Sequence, residues 1–139
     1  MDFLQLPIKT VLLFGIAGAA VAVYLPFLAV GAARAQVGYD PAAPRSMFDK
    51  LPDWGQRATW AHQNGWESFV LFTAAALMAY VSGADSGEIR LAVIGYLGAR
   101  ILFSVFYIVN QPILRSMMFA LGTTAIVTLM SLAIKASLV

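Results

Sequence analysis

Four runs of apolar residues, each long enough to cross a bilayer, alternate with short polar segments along this chain. A helix needs about 20 residues to cross about 30 Å of hydrocarbon, at a rise of about 1.5 Å per residue. The first run spans Ile8 to about Ala33 and contains Pro26, a point where the helix is expected to bend. The second spans Gln56 to Val81 and is followed by the polar turn Ser82-Gly83-Ala84-Asp85-Ser86-Gly87. The third spans Leu91 to Val109. After it, Asn110-Gln111-Pro112 makes a turn that sets Pro112 at the entrance of a fourth helix, Ile113 to about Ile134, closed by Lys135. The pattern predicts an all-α integral membrane protein, a four-transmembrane-helix bundle forming one domain over residues 1–139.

Composition agrees. The chain is 60% hydrophobic and 12% charged, with a mean hydropathy of +0.78, outside the range of water-soluble domains. Its net charge of +2 comes from scattered Lys and Arg, so no basic run is available to follow a nucleic-acid backbone, and no nucleic-acid partner is expected. With no cysteine, the chain has neither a disulfide nor a thiolate of its own, and any thiol chemistry must use a substrate's sulfur. Ala33-Arg34-Ala35 resembles a signal-peptidase site. The apolar stretch before it exceeds the 7–15 residues of a typical signal core, which favours a retained first helix.

The one long connection, Arg34 to Gly55, is rich in proline and charge. Arg34, Arg45, Lys50, Arg57 and Arg115 fall on its side of the membrane, against Lys9, Arg90 and Lys135 on the other. Since cytoplasmic connections carry the excess of Lys and Arg, the long connection is expected in the cytoplasm and both termini outside, in a cell inner membrane. Trp54, Trp60 and Trp66 gather near the same face, as in an interfacial aromatic belt.

Charges inside the spans mark the functional candidates, because each costs about 2.5–3.5 kcal/mol or more near the bilayer centre and needs a partner. Glu67 lies ten residues beyond Arg57, and Arg100 lies ten before Asn110. Both are therefore about 15 Å deep on adjacent antiparallel helices, and a Glu67–Arg100 ion pair is the expected arrangement. Helical phase puts Arg57, Trp60, Asn64 and Glu67 on one face of the second helix. Arg100, Ser104, Tyr107 and Gln111 share a face of the third. These stripes predict a water-accessible pocket for a small anionic ligand, with Arg115 adding a further cation. His62, the single histidine, points elsewhere, suits an interfacial or inter-subunit position, and leaves no basis for a metal site.

The run Arg57-Ala-Thr-Trp-Ala-His62-Gln-Asn64-Gly-Trp-Glu67-Ser-Phe69 resembles the second-helix signature of the MAPEG family, the membrane-associated proteins in eicosanoid and glutathione metabolism. Arg100 and Tyr107 keep that family's Arg-then-Tyr spacing, and Pro112-Ile-Leu-Arg115-Ser116 resembles its entry into the fourth helix. The likeness is to a bacterial-type member and covers Gln56 to the C-terminus. It implies a homotrimer with glutathione as co-substrate at subunit interfaces near the cytoplasmic face. It also implies a ligand set of Arg57, Asn64, Glu67, Arg100, Tyr107 and Arg115, with Arg115, Tyr107 and Ser116 as catalytic candidates. A cation beside a thiol favours the nucleophilic thiolate, which would attack a hydrophobic electrophile or a lipid hydroperoxide from the bilayer.

This chain departs from the pattern at several positions. Trp60 and Gln63 stand where eicosanoid-type members commonly carry Arg, Leu71 replaces a Pro, and Phe119 stands where some members have Tyr. Two function classes follow: a membrane glutathione transferase or peroxidase, and a non-catalytic member that binds lipid or serves as a scaffold. A transporter is disfavoured, since there is no internal repeat and no paired broken helix. Gly15, Ala17, Gly18, Ala19 and Ala20 with Gly95, Gly98 and Ala99 are expected to let helices approach closely.

Overall fold

A computed structural model describes residues 5–138. The expected single domain also includes residues 1–4 and 139, which lie outside the described residues. Four helices make up the bundle: α1 (Ile8–Gln36), α2 (Asp53–Ser82), α3 (Gly87–Ile108) and α4 (Pro112–Ser137). All four are long and apolar enough to cross a membrane. The helices start earlier or end later than the apolar runs alone indicate. Asp53 in the first turn of α2, just after Pro52, and Glu88 in the first turn of α3 both put negative charge where the helix dipole favours it. The connection between α1 and α2 therefore shortens to residues 37–52, which include a 3₁₀ turn at Phe48–Lys50.

α1 packs on α2 and α3, and α4 packs on α3 and α2, so that α1 and α4 flank the central pair. The shared core is built from small and medium side chains, with Phe72 and Tyr96 stacked inside it, their ring centroids 3.8 Å apart and nearly parallel. Gly15 lets α1 close on α3: a Cβ there would lie 2.7 Å from Val93 Cγ1 and 3.4 Å from Phe72 Cζ. Gly18 does the same against Leu97. Gly95 and Gly98, expected to play this part on α3, face open space, so the close α1–α3 contact depends on the glycines of α1.

α1 continues helically through Pro26. The proline brings no N–H to the ladder, which leaves the carbonyl of Ala22 without its helical partner. One residue further along, the Val23 carbonyl accepts a hydrogen bond from His62 Nδ1 at 2.8 Å. A carbonyl can only accept, so Nδ1 carries the proton. Nε2 is then the acceptor for the Trp66 indole N–H at 3.3 Å. His62 is thus a latch between α1 and α2 within one chain, at the proline.

Candidate functional site

The end of the bundle that carries the long connection is organised by the C-terminus of α3. Asn110 adopts the left-handed conformation at φ 58°, the Gln111 N–H reaches the Phe106 carbonyl at 2.8 Å, and the Asn110 N–H reaches that of Tyr107 at 3.2 Å. This is a Schellman turn, with asparagine in the position usually taken by glycine. It delivers Pro112 to the first turn of α4, where a missing N–H costs nothing. Arg57 completes the cap by donating from Nε to the Ile108 carbonyl at 2.9 Å, which places a cation at the negative end of the helix dipole. Arg57 was expected as a ligand contact. In the structure part of its donor capacity holds α2 against α3.

That bond also fixes relative depth. Counting from Arg57 and Ile108, Glu67 and Arg100 lie about 15 and 12 Å further into the bundle. They are level, as expected, but the direct ion pair does not form. Arg100 Nη2 donates to Asn64 Oδ1 at 3.0 Å, and Asn64 Nδ2 donates to Glu67 Oε2 at 3.2 Å. The amide of Asn64 therefore stands between the two charges, and its two ends suit the two partners: carbonyl to the cation, NH₂ to the carboxylate. Arg100 is buried, and its guanidinium lies 4.2 Å from the centroid of the Phe103 ring, a second source of stabilisation. Glu67 is exposed, and its second oxygen has no partner among the described residues.

Closer to the mouth, Arg115 from the first turn of α4 lays its guanidinium over the Tyr107 ring, 4.6 Å from the centroid. Trp60, itself against Phe48, packs on Tyr107 at 6.5 Å. Arg57, Trp60, Asn64, Glu67, Arg100, Tyr107 and Arg115 thus occupy one side of the bundle, formed by α2, α3 and the start of α4. Three expected members lie apart from them. Ser116 donates its hydroxyl to the Pro112 carbonyl at 2.9 Å and lines a separate groove with Ile113 and Met117. Ser104 is buried, its hydroxyl bonded to the Arg100 carbonyl, and Gln111 belongs to the turn. Behind Arg100, a void of about 10 Å³ between α1, α2 and α3 has room for one water at most. The sequence reading did not single out Tyr96, whose hydroxyl meets Ser68 Oγ at 3.1 Å, because an aromatic in an apolar run looks like packing.

The fold and this face define a four-helix membrane protein with a charged, aromatic-lined cluster at one end. The model of the MAPEG family matches residues 11–135, and the chain belongs to that family. No curated protein and no solved structure gives a significant match.

Proposed function

We propose that the face formed by Asn64, Glu67, Arg100, Tyr107 and Arg115 binds glutathione, and that the protein is a membrane glutathione transferase or peroxidase acting on hydrophobic electrophiles. The observation that carries this reading is the exposure of Glu67 deep in α2, within a hydrogen-bond chain that ends at a buried arginine. A carboxylate on the outer surface of a membrane-spanning helix is costly against hydrocarbon, so a polar ligand, a second subunit or both must cover it. A tripeptide with one ammonium and two carboxylates offers a matching set: its ammonium for the free oxygen of Glu67, its carboxylates for the cations. A homotrimer, with a neighbouring copy closing the open side, completes the reading. So does an orientation with this end in the cytoplasm of a cell with the protein in its inner membrane, following the excess of Lys and Arg.

In this reading Arg115 stabilises the glutathione thiolate, and the Tyr107 ring holds the guanidinium in place from one face. The sulfur then bonds to an electrophilic carbon, either displacing its leaving group or adding to a conjugated acceptor that takes up a proton from water, or it attacks the outer oxygen of a lipid hydroperoxide and breaks the O–O bond, giving glutathione sulfenic acid and an alkoxide that takes up a proton to become the alcohol. The step does not call on Ser116, whose hydroxyl donates to the Pro112 carbonyl. Calorimetric titration of glutathione into the detergent-solubilised protein tests the binding. Micromolar affinity that weakens at least tenfold in Glu67→Gln supports the reading, and no heat up to millimolar glutathione refutes it.

The alternative, a non-catalytic lipid-binding or scaffold member, draws on Trp60 and Gln63, which provide no cation, and on the engagement of Arg57 with Ile108. The same titration separates the two.

A further inference from the structure

α3 and α4 leave a groove of about 600 Å³ along their outer side, within the size range of small-molecule sites. Thr124, Thr128, Ser131 and Lys135 fall within an arc of about 60° on α4 and form one wall, and Glu88, Ala92 and Gly95 share the facing side of α3. Gly95 takes no part in helix packing, and a Cβ there would meet nothing within 4 Å, which keeps the α3 wall open. Polar groups are graded along the groove. Glu88, in the first turn of α3, and Lys135, in the last turn of α4, stand at the end away from the long connection. They do not pair with each other, and neither has an ion pair among the described residues. Ser131 lies one helical turn, about 6 Å, below Lys135, exposed and with its hydroxyl unbonded among the described residues. Deeper still, Thr128 and Thr124 return their protons to the carbonyls of Thr124 and Ala120, both at 2.9 Å, so this stretch presents no unsatisfied donor to hydrocarbon.

The order of groups from rim to floor is a carboxylate beside a cation, then one free hydroxyl, then apolar wall. From Lys135 to Leu121 the groove follows α4 for fourteen residues, or about 21 Å, more than the roughly 15 Å of one leaflet's hydrocarbon. A phospholipid of that leaflet repeats the same order in its ammonium and phosphate, its ester carbonyl and its acyl chain. We propose that this groove holds a zwitterionic aminophospholipid, its ammonium on Glu88, its phosphate on Lys135, an ester carbonyl at Ser131 and one acyl chain along Gly95 and Thr128. A primary ammonium donates hydrogen bonds to a carboxylate, and a trimethylammonium has none to give. An acidic headgroup would leave Glu88 without a cation. The groove is separate from the Arg115 face, and the proposal stands whether or not glutathione binds there.

Native mass spectrometry of the full chain, released from a neutral detergent, tests it. The probes are phosphatidylethanolamine and phosphatidylcholine with the same acyl chains, offered as an equal mixture. The expected result is one phosphatidylethanolamine retained per chain, at least tenfold more abundant than phosphatidylcholine. A hundredfold excess of glycerophosphoethanolamine, the headgroup without its tails, should not displace it. Glu88→Gln should abolish the preference between the two lipids, and Glu88→Asp should keep part of it. Gly95→Leu fills the groove without touching the bundle core and should remove the adduct. Gly98→Leu is the control for folding, because Gly98 also faces open space but lies outside the groove, and it should retain the adduct. Equal retention of the two lipids, displacement by the tail-free headgroup, a preference undiminished in Glu88→Gln, or an adduct undiminished in Gly95→Leu would each overturn the proposal.

Discussion

Arg100 reaches Asn64, not Glu67, although Glu67 lies at the same depth on the facing helix. An amide inserted between two charges changes which substitutions matter. A hydrogen bond to a charged group contributes about 1.5–3 kcal/mol, so Asn64→Leu should lower stability in detergent by about that amount. Glu67→Gln keeps an acceptor for the Asn64 amide, and its carboxylate is exposed, so its cost should stay below about 1 kcal/mol. A double-mutant cycle on unfolding checks both: strong coupling between Asn64 and Arg100, weak coupling between Glu67 and Arg100. The reverse ranking would restore the direct ion pair.

Gly15 and Gly98 look alike in the sequence and differ in surroundings. A methyl group at Gly15 runs into Val93, and Gly15→Ala should destabilise by about 1–3 kcal/mol through overpacking. Gly98→Ala meets nothing and should be neutral or stabilise by up to about 1 kcal/mol through helix propensity. Thermal unfolding of the two variants side by side is the check.

His62→Phe retains a ring against Tyr24 and Phe27 while removing both hydrogen bonds of the latch. The expected cost is about 0.5–1.5 kcal/mol for each bond lost, with Trp66→Phe removing only the outer one. Denaturant unfolding should therefore rank His62→Phe below Trp66→Phe. Equal losses would mean that the Val23 carbonyl gains nothing from the imidazole.

The four spans were legible because bilayer thickness sets a length that apolar runs either meet or fail. Their ends were not, since Asp53, Trp54 and Gly55 read as loop by polarity and became helix through the dipole and the preceding proline. Helical phase placed Arg57, Trp60, Asn64 and Glu67 on one face, which the structure retains. Phase gives direction and not reach, however. It could not reveal that Arg57 ends on the Ile108 carbonyl, or that Asn64 intercepts Arg100. Ser116 was grouped with Arg115 through the likeness of Pro112-Ile-Leu-Arg115-Ser116 to the family's entry into the fourth helix, yet adjacent helical residues diverge by about 100° and the two belong to different surfaces.

In the proposed reading this face holds a thiol as its thiolate under the control of Arg115. Ultraviolet difference spectroscopy tests it most directly, with the thiolate absorbance followed as glutathione is added to the detergent-solubilised protein and to Arg115→Ala. A saturable thiolate signal is expected in the unaltered protein, and it should disappear in Arg115→Ala while glutathione still binds. A complex with no thiolate signal, or one that Arg115→Ala leaves intact, would contradict it.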